Sequence, residues 1–322
     1  MHNSFGFIID PIDGFDPERE TTLFLMHEAQ KRKYKILTFT LSDLFYQSGS
    51  VFGKAKEIKV EKPSPSKRNR KPFYNIIRES TVDLTSLNAI FLRKDPPTDL
   101  NYFHHLYLLE TIQDRVPMIN SPRGILKVQE KIYPLRFEKY IPQTCITKKL
   151  SVILEFIKTC PSGVVLKPLN SSGGRGVFSF RGIDSNLAVA VETLTHEGKE
   201  DIICQEYLPQ VSKGDKRVML LNGEILGYFL RVPQKGDHRA NLHSGGNLTA
   251  CQLSKKEKMI ALEVGEVLKK EGLTFVGLDM IGEKLTEINV TSPMGLREIN
   301  LTMGGQSEKK VIDFVEGEFT NR

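Results

Sequence analysis

Several familiar signatures are missing from this 322-residue chain. Its four cysteines, Cys145, Cys160, Cys204 and Cys251, show no C-x-x-C spacing and no paired histidines nearby. That argues against zinc and disulfides and for reduced thiols in the interior. No run of eighteen apolar residues occurs, so no membrane-spanning helix is expected. The first residues, MHNSFGFIID, show no basic leader before a long apolar stretch, so no secretory signal is expected. These absences point to the cytoplasm. G-x-x-x-x-G-K-[ST] is absent, and the first loop, DPIDGFDPE, is not the G-x-G-x-x-G of dinucleotide sites. No nucleophile-and-base triad pattern and no internal repeat stand out.

What is present is ordinary for a globular protein: 39% hydrophobic and 26% charged residues. The length suits two or three compact units. A formal net charge of +6 suits an anionic substrate such as a nucleotide and does not imply nucleic acid. The most basic stretch, KPSPSKRNRKP at residues 62–72, has three prolines and no aromatics. Residues 54–72 therefore read as a solvated excursion between strands.

The pattern predicts a strand over Phe5–Ile9, a helix over Thr21–Lys33 and a strand over Tyr34–Phe39, hence a parallel sheet. Ala89–Leu92 reads as another buried strand, Tyr102–Gln113 as a helix and Pro117–Asn120 as a last short strand. A boundary falls near Ser121-Pro122, and a helix over Gly124–Phe137 follows. Beyond Pro142, strands alternate with glycine-bearing turns: Gly163–Pro168, Gly176–Arg181, Asp201–Tyr207, Lys216–Leu221, Glu224–Val232 and Phe275–Ile281. A late helix has Ser254 as N-cap, Glu257 completing a capping box and Gly272 as its stop. The fold class is α/β followed by α+β with a substantial antiparallel sheet.

Four segments could carry chemistry. In VVLKPLNSSGGRGVFSF an apolar strand presents Lys167, and the loop after it, with Ser171, Ser172, Gly173 and Gly174, lets backbone N–H groups approach a phosphate. A plain hairpin loop is the bland alternative. The strand ending Gln205-Glu206-Tyr207-Leu208 offers backbone edges and an apolar wall to an adenine. Asp215 could accept from ribose hydroxyls, or merely sit in a Gly-Asp turn. Arg231, Arg239 and Asn241 lie around a polar, glycine-bearing stretch that suits a mobile lid over an anionic substrate. Last, GLDMIGEKLTEINVTSP holds Asp279, Glu287 and Asn289, hard oxygen donors that suit Mg²⁺ completed by nucleotide phosphates. Turn and strand-end roles would explain the same residues.

Strand parity makes that last reading testable. A two-residue turn at Gly282-Glu283 with a regular ladder would pair Asp279 with Thr286, leaving Glu287 and Asn289 on the other face. An odd connection, of three residues (282–284) or of five pairing Met280 with Thr286, or else a bulge, would bring all three to one face. The expectation is one shared face, with Met280 and Ile288 turned to the core.

The order of these segments resembles the ATP-grasp superfamily, and the wording resembles its bacterial glutathione synthetase family. The matching strings run over nearly the whole chain: I-D-P-I (9–12), R-K-D-P-P (93–97), Q-E-K (129–131), L-K-P-L (166–169), E-T-L-T (192–195), Y-L-P (207–209), G-D-K-R-V (214–218), G-L-x-F-V-G-L-D (272–279) and L-T-E-I-N-V-T-S-P (285–293). The loop after Lys167 departs from the family's Asp-Gly-Met-Gly-Gly.

The resemblance implies an N-terminal domain over residues 1–122 and a two-lobed ATP-grasp unit over 123–316, its small lobe ending near 207. It implies that Lys131, Lys167 and the loop at 171–174 hold ATP phosphates. Gln205, Glu206, Tyr207 and Leu208 would hold adenine, with Asp215 and Arg217 also on the nucleotide side. Asp279, Glu287 and Asn289 would bind Mg²⁺, with Mn²⁺ as a substitute. Arg231, Arg239, Asn241, Ser292 and Arg297 would face the substrates, Arg231 and Arg239 joining Lys167 as the catalytic groups. The implied reaction ligates γ-L-glutamyl-L-cysteine and glycine with ATP in a cytoplasmic homotetramer, with no nucleic acid and no membrane as partner. Another ATP-grasp carboxylate–amine ligase, or a non-catalytic ATP-binding regulator, is the alternative.

Overall fold

The computed structural model describes residues 3–63, 73–234 and 246–320. The chain begins with β1 (Ser4–Ile9), α1 (Thr21–Lys31) and β2 (Lys35–Phe39), and β1 and β2 are parallel as the pattern predicts. Then come β3 (Leu44–Gln47), β4 (Ser50–Val60), β5 (Tyr74–Asp83), β6 (Ala89–Arg93), α2 (Leu100–Glu110) and β7 (Met118–Ile119). The sheet order is β3-β4-β2-β1-β6-β7, with β5 on the far edge of β4. All six residues of β1 are buried because both faces are covered. Phe5, Phe7 and Ile9 meet Leu23, Met26 and Ala29 of α1, while Ile8 on the other face belongs with Leu106 and Leu109 of α2.

The expected excursion over 54–72 is corrected in its first part. Residues 54–60 continue β4, which pairs with β5 over nine register positions. The basic character of this stretch hid a real alternation: Ala55, Glu57, Ile58 and Val60 are buried while Lys54, Lys56 and Lys59 are exposed. The most basic part of the segment lies outside the described residues.

The chain continues with α3 (Pro122–Lys127), which falls short of the single helix expected over 124–137. Val128 is extended, and the Gln129 side chain accepts from the Lys131 and Ile132 N–H groups, both at 2.8 Å, diverting donors a helix would need. A 3₁₀ stretch over Tyr133–Tyr140 follows. β8 (Thr144–Thr147), α4 (Leu150–Lys158), β9 (Val164–Pro168), β10 (Phe178–Phe180), α5 (Ser185–Leu194) and β11 (Ile202–Glu206) form a second layer, an antiparallel sheet in the order β10-β9-β11-β8.

A third, antiparallel sheet has the order β14-β13-β12-β15-β16, from β12 (Asp215–Leu221), β13 (Glu224–Val232), β14 (Asn247–Thr249), β15 (Phe275–Ile281) and β16 (Lys284–Asn289). Helix α6 (Lys255–Lys270) covers its apolar face: Ile260, Val264 and Leu268 pack with Val218, Leu278, Met280 and Ile288. The predicted capping box is present, with Ser254 Oγ accepting from Glu257 N–H at 3.1 Å and the Glu257 carboxylate from Ser254 N–H at 2.7 Å. Such a box is worth about 1 kcal/mol. Gly265 on α6 cannot carry a side chain, since a Cβ there would stand 2.2 Å from Gly223 O.

The last helices, α7 (Leu296–Met303) and α8 (Ser307–Thr320), return to the first sheet. Val311, Ile312 and Val315 join the cluster of Phe5, Phe7 and α1. A buried asparagine makes a second tie between the ends of the fold. Asn120 Nδ2 donates to Phe275 O (2.8 Å) and Val290 O (2.7 Å), and its Oδ1 accepts from Thr274 N–H (2.8 Å) and Phe275 N–H (2.7 Å).

Candidate active site

The hairpin of β15 and β16 settles the parity question. The turn has two residues, Gly282 and Glu283, both at positive φ (54° and 63°) as a type I′ turn requires, and Ile281 pairs with Lys284. The odd loops expected from sequence are thus corrected. Met280 pairs with Leu285, and the register then shifts so that Asp279 faces Glu287 and Gly277 faces Asn289. Thr286 is the extra residue of a bulge, and its hydroxyl donates to Asp279 O at 3.1 Å. The bulge brings Asp279, Glu287 and Asn289 to one face and leaves Met280 and Ile288 fully buried in the core.

The same face of the third sheet carries a ladder of charge. Arg217 on β12 pairs in register with Asp279, and Asp215 with Arg231 on β13. Arg217 Nε donates to Asp279 Oδ1 at 2.5 Å and its Nη2 to Oδ2 at 3.2 Å. Arg231 pairs with Asp215 and stands 3.0 Å from Asp279. Burial alone would raise the Asp279 carboxyl, but the two guanidiniums hold it below the usual carboxylate range. Burial pushes Asp215 up to about 7, against the pull of Arg231. Its Oδ1 is buried without a partner among the described residues. Arg231 is a buried residue of β13, the strand predicted over Glu224–Val232.

Two lysines approach from the other side. Lys167, on β9, donates to Gln205 Oε1 at 2.9 Å, and burial of its ammonium pulls it below the usual lysine range, with Glu287 opposing the shift. Lys131 donates to Ser171 O (2.6 Å) and Leu169 O (3.3 Å) and stands 3.0 Å from Glu287 Oε1. It thereby ties the glycine-bearing loop to the hairpin. Glu130 secures the segment beyond Asn289: its Oε1 accepts from Val290 N–H (2.8 Å), Thr291 N–H (3.1 Å) and Thr291 Oγ1 (3.0 Å).

Two openings meet here. One is a cleft between the second and third sheets, lined by Val165, Lys167, Tyr207, Leu208, Asp215 and Ile281. The other is a cavity of about 660 Å³ between the third sheet and the first, lined by Arg217, Arg231, Asn289 and Ser292 among others. Glu287, Ser172 and Gly173 line both.

The structure thus gathers most of the residues picked from sequence. Lys131, Lys167, Ser171, Ser172, Gly173, Gly174, Gln205, Glu206, Tyr207, Leu208, Asp215, Asp279 and Glu287 line the cleft. Ser292, Asn289, Arg217 and Arg231 line the cavity. The Gln205 side chain is spent on Lys167 and on Thr144, at 3.2 Å, and β11 is an interior strand flanked by β9 and β8. Arg297, which the resemblance assigns to the substrates, is held by Glu18 and Glu298 beside the cavity lining. Arg239, Asn241 and the expected lid lie outside the described residues. Sequence reading gave no role to Glu130, Asn120 or Arg19, although Glu130 stands in the quoted string Q-E-K.

As oxygen donors, Glu287 and Asn289 fit a divalent cation. Asn289 Nδ2 donates to Gly277 O at 3.2 Å, which fixes the amide with its oxygen pointing elsewhere. Asp279 shares their face, yet both its oxygens already accept from Arg217.

Comparison with known proteins gives a consistent result. The model of the prokaryotic glutathione synthetase N-terminal domain matches residues 4–125, and that of the prokaryotic glutathione synthetase ATP-grasp domain matches residues 130–304. The chain is 38% identical over 313 residues to the glutathione synthetase of Vibrio cholerae, covering 97% of this chain and 96% of that one. It is also 38% identical over 313 residues to that of Nitrosomonas europaea, covering 97% of each. Among solved structures, a D-cycloserine synthetase superposes with a TM-score of 0.65 at 11% identity, covering 98% of this chain and all of that one. D-alanyl-alanine synthetase A from Vibrio cholerae gives 0.61 at 12% identity, with 99% of each chain covered. These structural likenesses speak to the fold alone.

Proposed function

The chain belongs to the prokaryotic glutathione synthetase family, and on that premise we propose that it ligates γ-L-glutamyl-L-cysteine to glycine at the junction of the two openings, forming ADP and phosphate from ATP. The observation that carries the placement is the bulged hairpin, which sets Glu287 on the line where cleft and cavity meet.

A carboxylate does not condense with an amine at neutral pH without activation. The cysteinyl carboxylate attacks the γ-phosphorus of ATP, ADP leaves, and an acyl phosphate forms. The amine of glycine then adds to the acyl carbon and phosphate leaves. Both reactants of the first step are anions, so the site must supply cations that need no rearrangement. Lys131 and Lys167 supply them, held by Ser171 O and Gln205. Backbone N–H groups at 171–174 approach the phosphates, and the apolar wall of Val165, Leu208 and Ile281 takes the adenine. Asp215 faces the ribose with its unpartnered oxygen. Glu287 and Asn289, with Asp279 behind them, would hold Mg²⁺ or Mn²⁺. When bound, such an ion neutralises charge on the transferring phosphoryl group. Arg217 and Arg231 keep Asp279 ionised and are positioning residues. Arg239, Asn241 and Ser292 face the substrates by the family motif, and water exclusion protects the acyl phosphate.

Residues 1–122 form the N-terminal unit in this reading and residues 123–316 the ATP-grasp unit. Reduced thiols support a cytoplasmic setting, and a homotetramer is the assembly expected from the family. The reading is tested by ADP release with ATP, γ-glutamylcysteine and glycine, each omitted in turn. Full release should need the dipeptide and glycine together. Release that ignores the dipeptide would overturn it.

A further inference from the structure

The large cavity contains a cation that the described residues leave without a side-chain partner. Arg217 and Arg231 are engaged by Asp279 and Asp215, and Arg175 donates to Ser172. Arg19 also lines the cavity, yet it makes no ion pair or hydrogen bond from its side chain among the described residues, and its Nε is buried without a partner. Asp95 lines the same region, and its exposed carboxylate makes no salt bridge among the described residues and acts on the buried Arg93 only through its charge, whereas Glu287 and Glu298 are paired with Lys131 and Arg297. A guanidinium and a carboxylate lining one cavity, neither held in a salt bridge, match a zwitterion.

Their place in the fold supports this. Arg19 follows β1 and Asp95 follows β6, so both stand beyond the carboxyl ends of parallel strands. The order β2-β1-β6-β7 reverses between those two strands, and such a switch point is where open α/β sheets bind ligands. The reacting groups lie on the opposite wall, on the third sheet.

We propose that Arg19 and Asp95 form the recognition site for the free amino-acid end of the γ-glutamyl group, Arg19 taking its α-carboxylate and Asp95 its α-ammonium. This rests on the ligase reading above and specifies which end of the dipeptide meets which wall. The γ-linkage is what leaves an α-carboxylate and an α-ammonium on one carbon, so this pair of residues selects γ-linked over α-linked dipeptides. The recognition is remote from the reacting carboxylate and acts through binding and orientation.

The test uses the full-length enzyme and three acceptors: γ-glutamylcysteine, 4-aminobutanoyl-cysteine (no α-carboxylate) and glutaryl-cysteine (no α-amino group). Arg19→Met should raise KM for γ-glutamylcysteine about 10- to 100-fold, the size of a lost charged hydrogen-bond pair. It should leave KM for ATP and for 4-aminobutanoyl-cysteine unchanged. Arg19→Lys should recover part of the loss. Asp95→Asn should raise KM for γ-glutamylcysteine and leave glutaryl-cysteine unchanged. Urea unfolding of each variant should match the wild type, which separates recognition from folding. Equal losses on all three acceptors, or unchanged KM for γ-glutamylcysteine, would overturn the assignment while wild-type turnover stands. Absence of wild-type turnover with γ-glutamylcysteine and glycine would instead overturn the ligase reading, and this assignment with it.

Discussion

The cleft and the cavity that meet at Glu287 settle their charges in opposite ways. In the cleft, Lys167 already rests on Gln205, and Lys131 on Ser171 and Glu287. In the cavity, the side chains of Arg19 and Asp95 make no salt bridge among the described residues, and Arg19 Nε is buried without a partner among them. Both lysines are thus aimed before any phosphate arrives, so little reorganisation accompanies reaction. The cavity defers its pairing to the ligand, which makes it the selective half. One half is organised by the protein for chemistry common to ATP-dependent ligases, and the other is completed by one substrate.

The largest effect that would sharpen this comparison is on Lys167. Lys167→Met should fold, since a strand position accepts an unbranched apolar chain, but ADP release should fall about 10³-fold or more. Wild-type-like release would remove Lys167 from the site. Next is Glu287, the residue both openings share. Glu287→Gln keeps its size and loses its charge, so Mn²⁺ titration followed by electron paramagnetic resonance should show binding weakened about tenfold or more in the presence of nucleotide. Unchanged Mn²⁺ affinity would move the metal elsewhere.

The contrast also needs fixed walls, and Asn120 holds the first sheet to the third. Asn120→Ala would leave buried N–H and C=O groups of residues 274, 275 and 290 without their partner. Urea unfolding should show a loss of about 3 kcal/mol. A loss within error would mean the clasp is not a joint. The smallest effect concerns Asp215. Its folded pKa, about 7, lies above that of the unfolded chain, so between roughly pH 4 and 7 the unfolded state releases a proton that the folded state keeps. Stability from this group therefore falls as pH rises through that window. Asp215→Asn cannot titrate, so its stability relative to wild type should improve by about 2.5 kcal/mol from pH 5 to pH 8. A pH-independent difference would contradict the burial argument.

Much of this was legible in the sequence, and the failures have physical causes. The buried strand at Phe5–Ile9 and the capped helix after Ser254 announced themselves because propensity, periodicity and caps agree there. The shared face of Asp279, Glu287 and Asn289 followed from strand parity, but its device did not, since Thr286 looks like any other strand residue and a bulge has no composition of its own. The β4–β5 hairpin was hidden because its exposed lysines dominate the local charge. Arg231 was legible as part of the strand Glu224–Val232, but not as the register partner of Asp215, which lies 16 residues earlier. Long-range pairing also concealed Asn120 and Arg19, whose meaning depends on what the fold brings opposite them.

The account's central claim is that the dipeptide's own carboxylate is phosphorylated where cleft and cavity join. The direct measurement is to supply γ-glutamylcysteine with ¹⁸O in the cysteinyl carboxylate, together with ATP and glycine, and to weigh the released phosphate. Transfer through an acyl phosphate predicts one ¹⁸O in each phosphate formed. Unlabelled phosphate, with glutathione formed at the same rate, would contradict it.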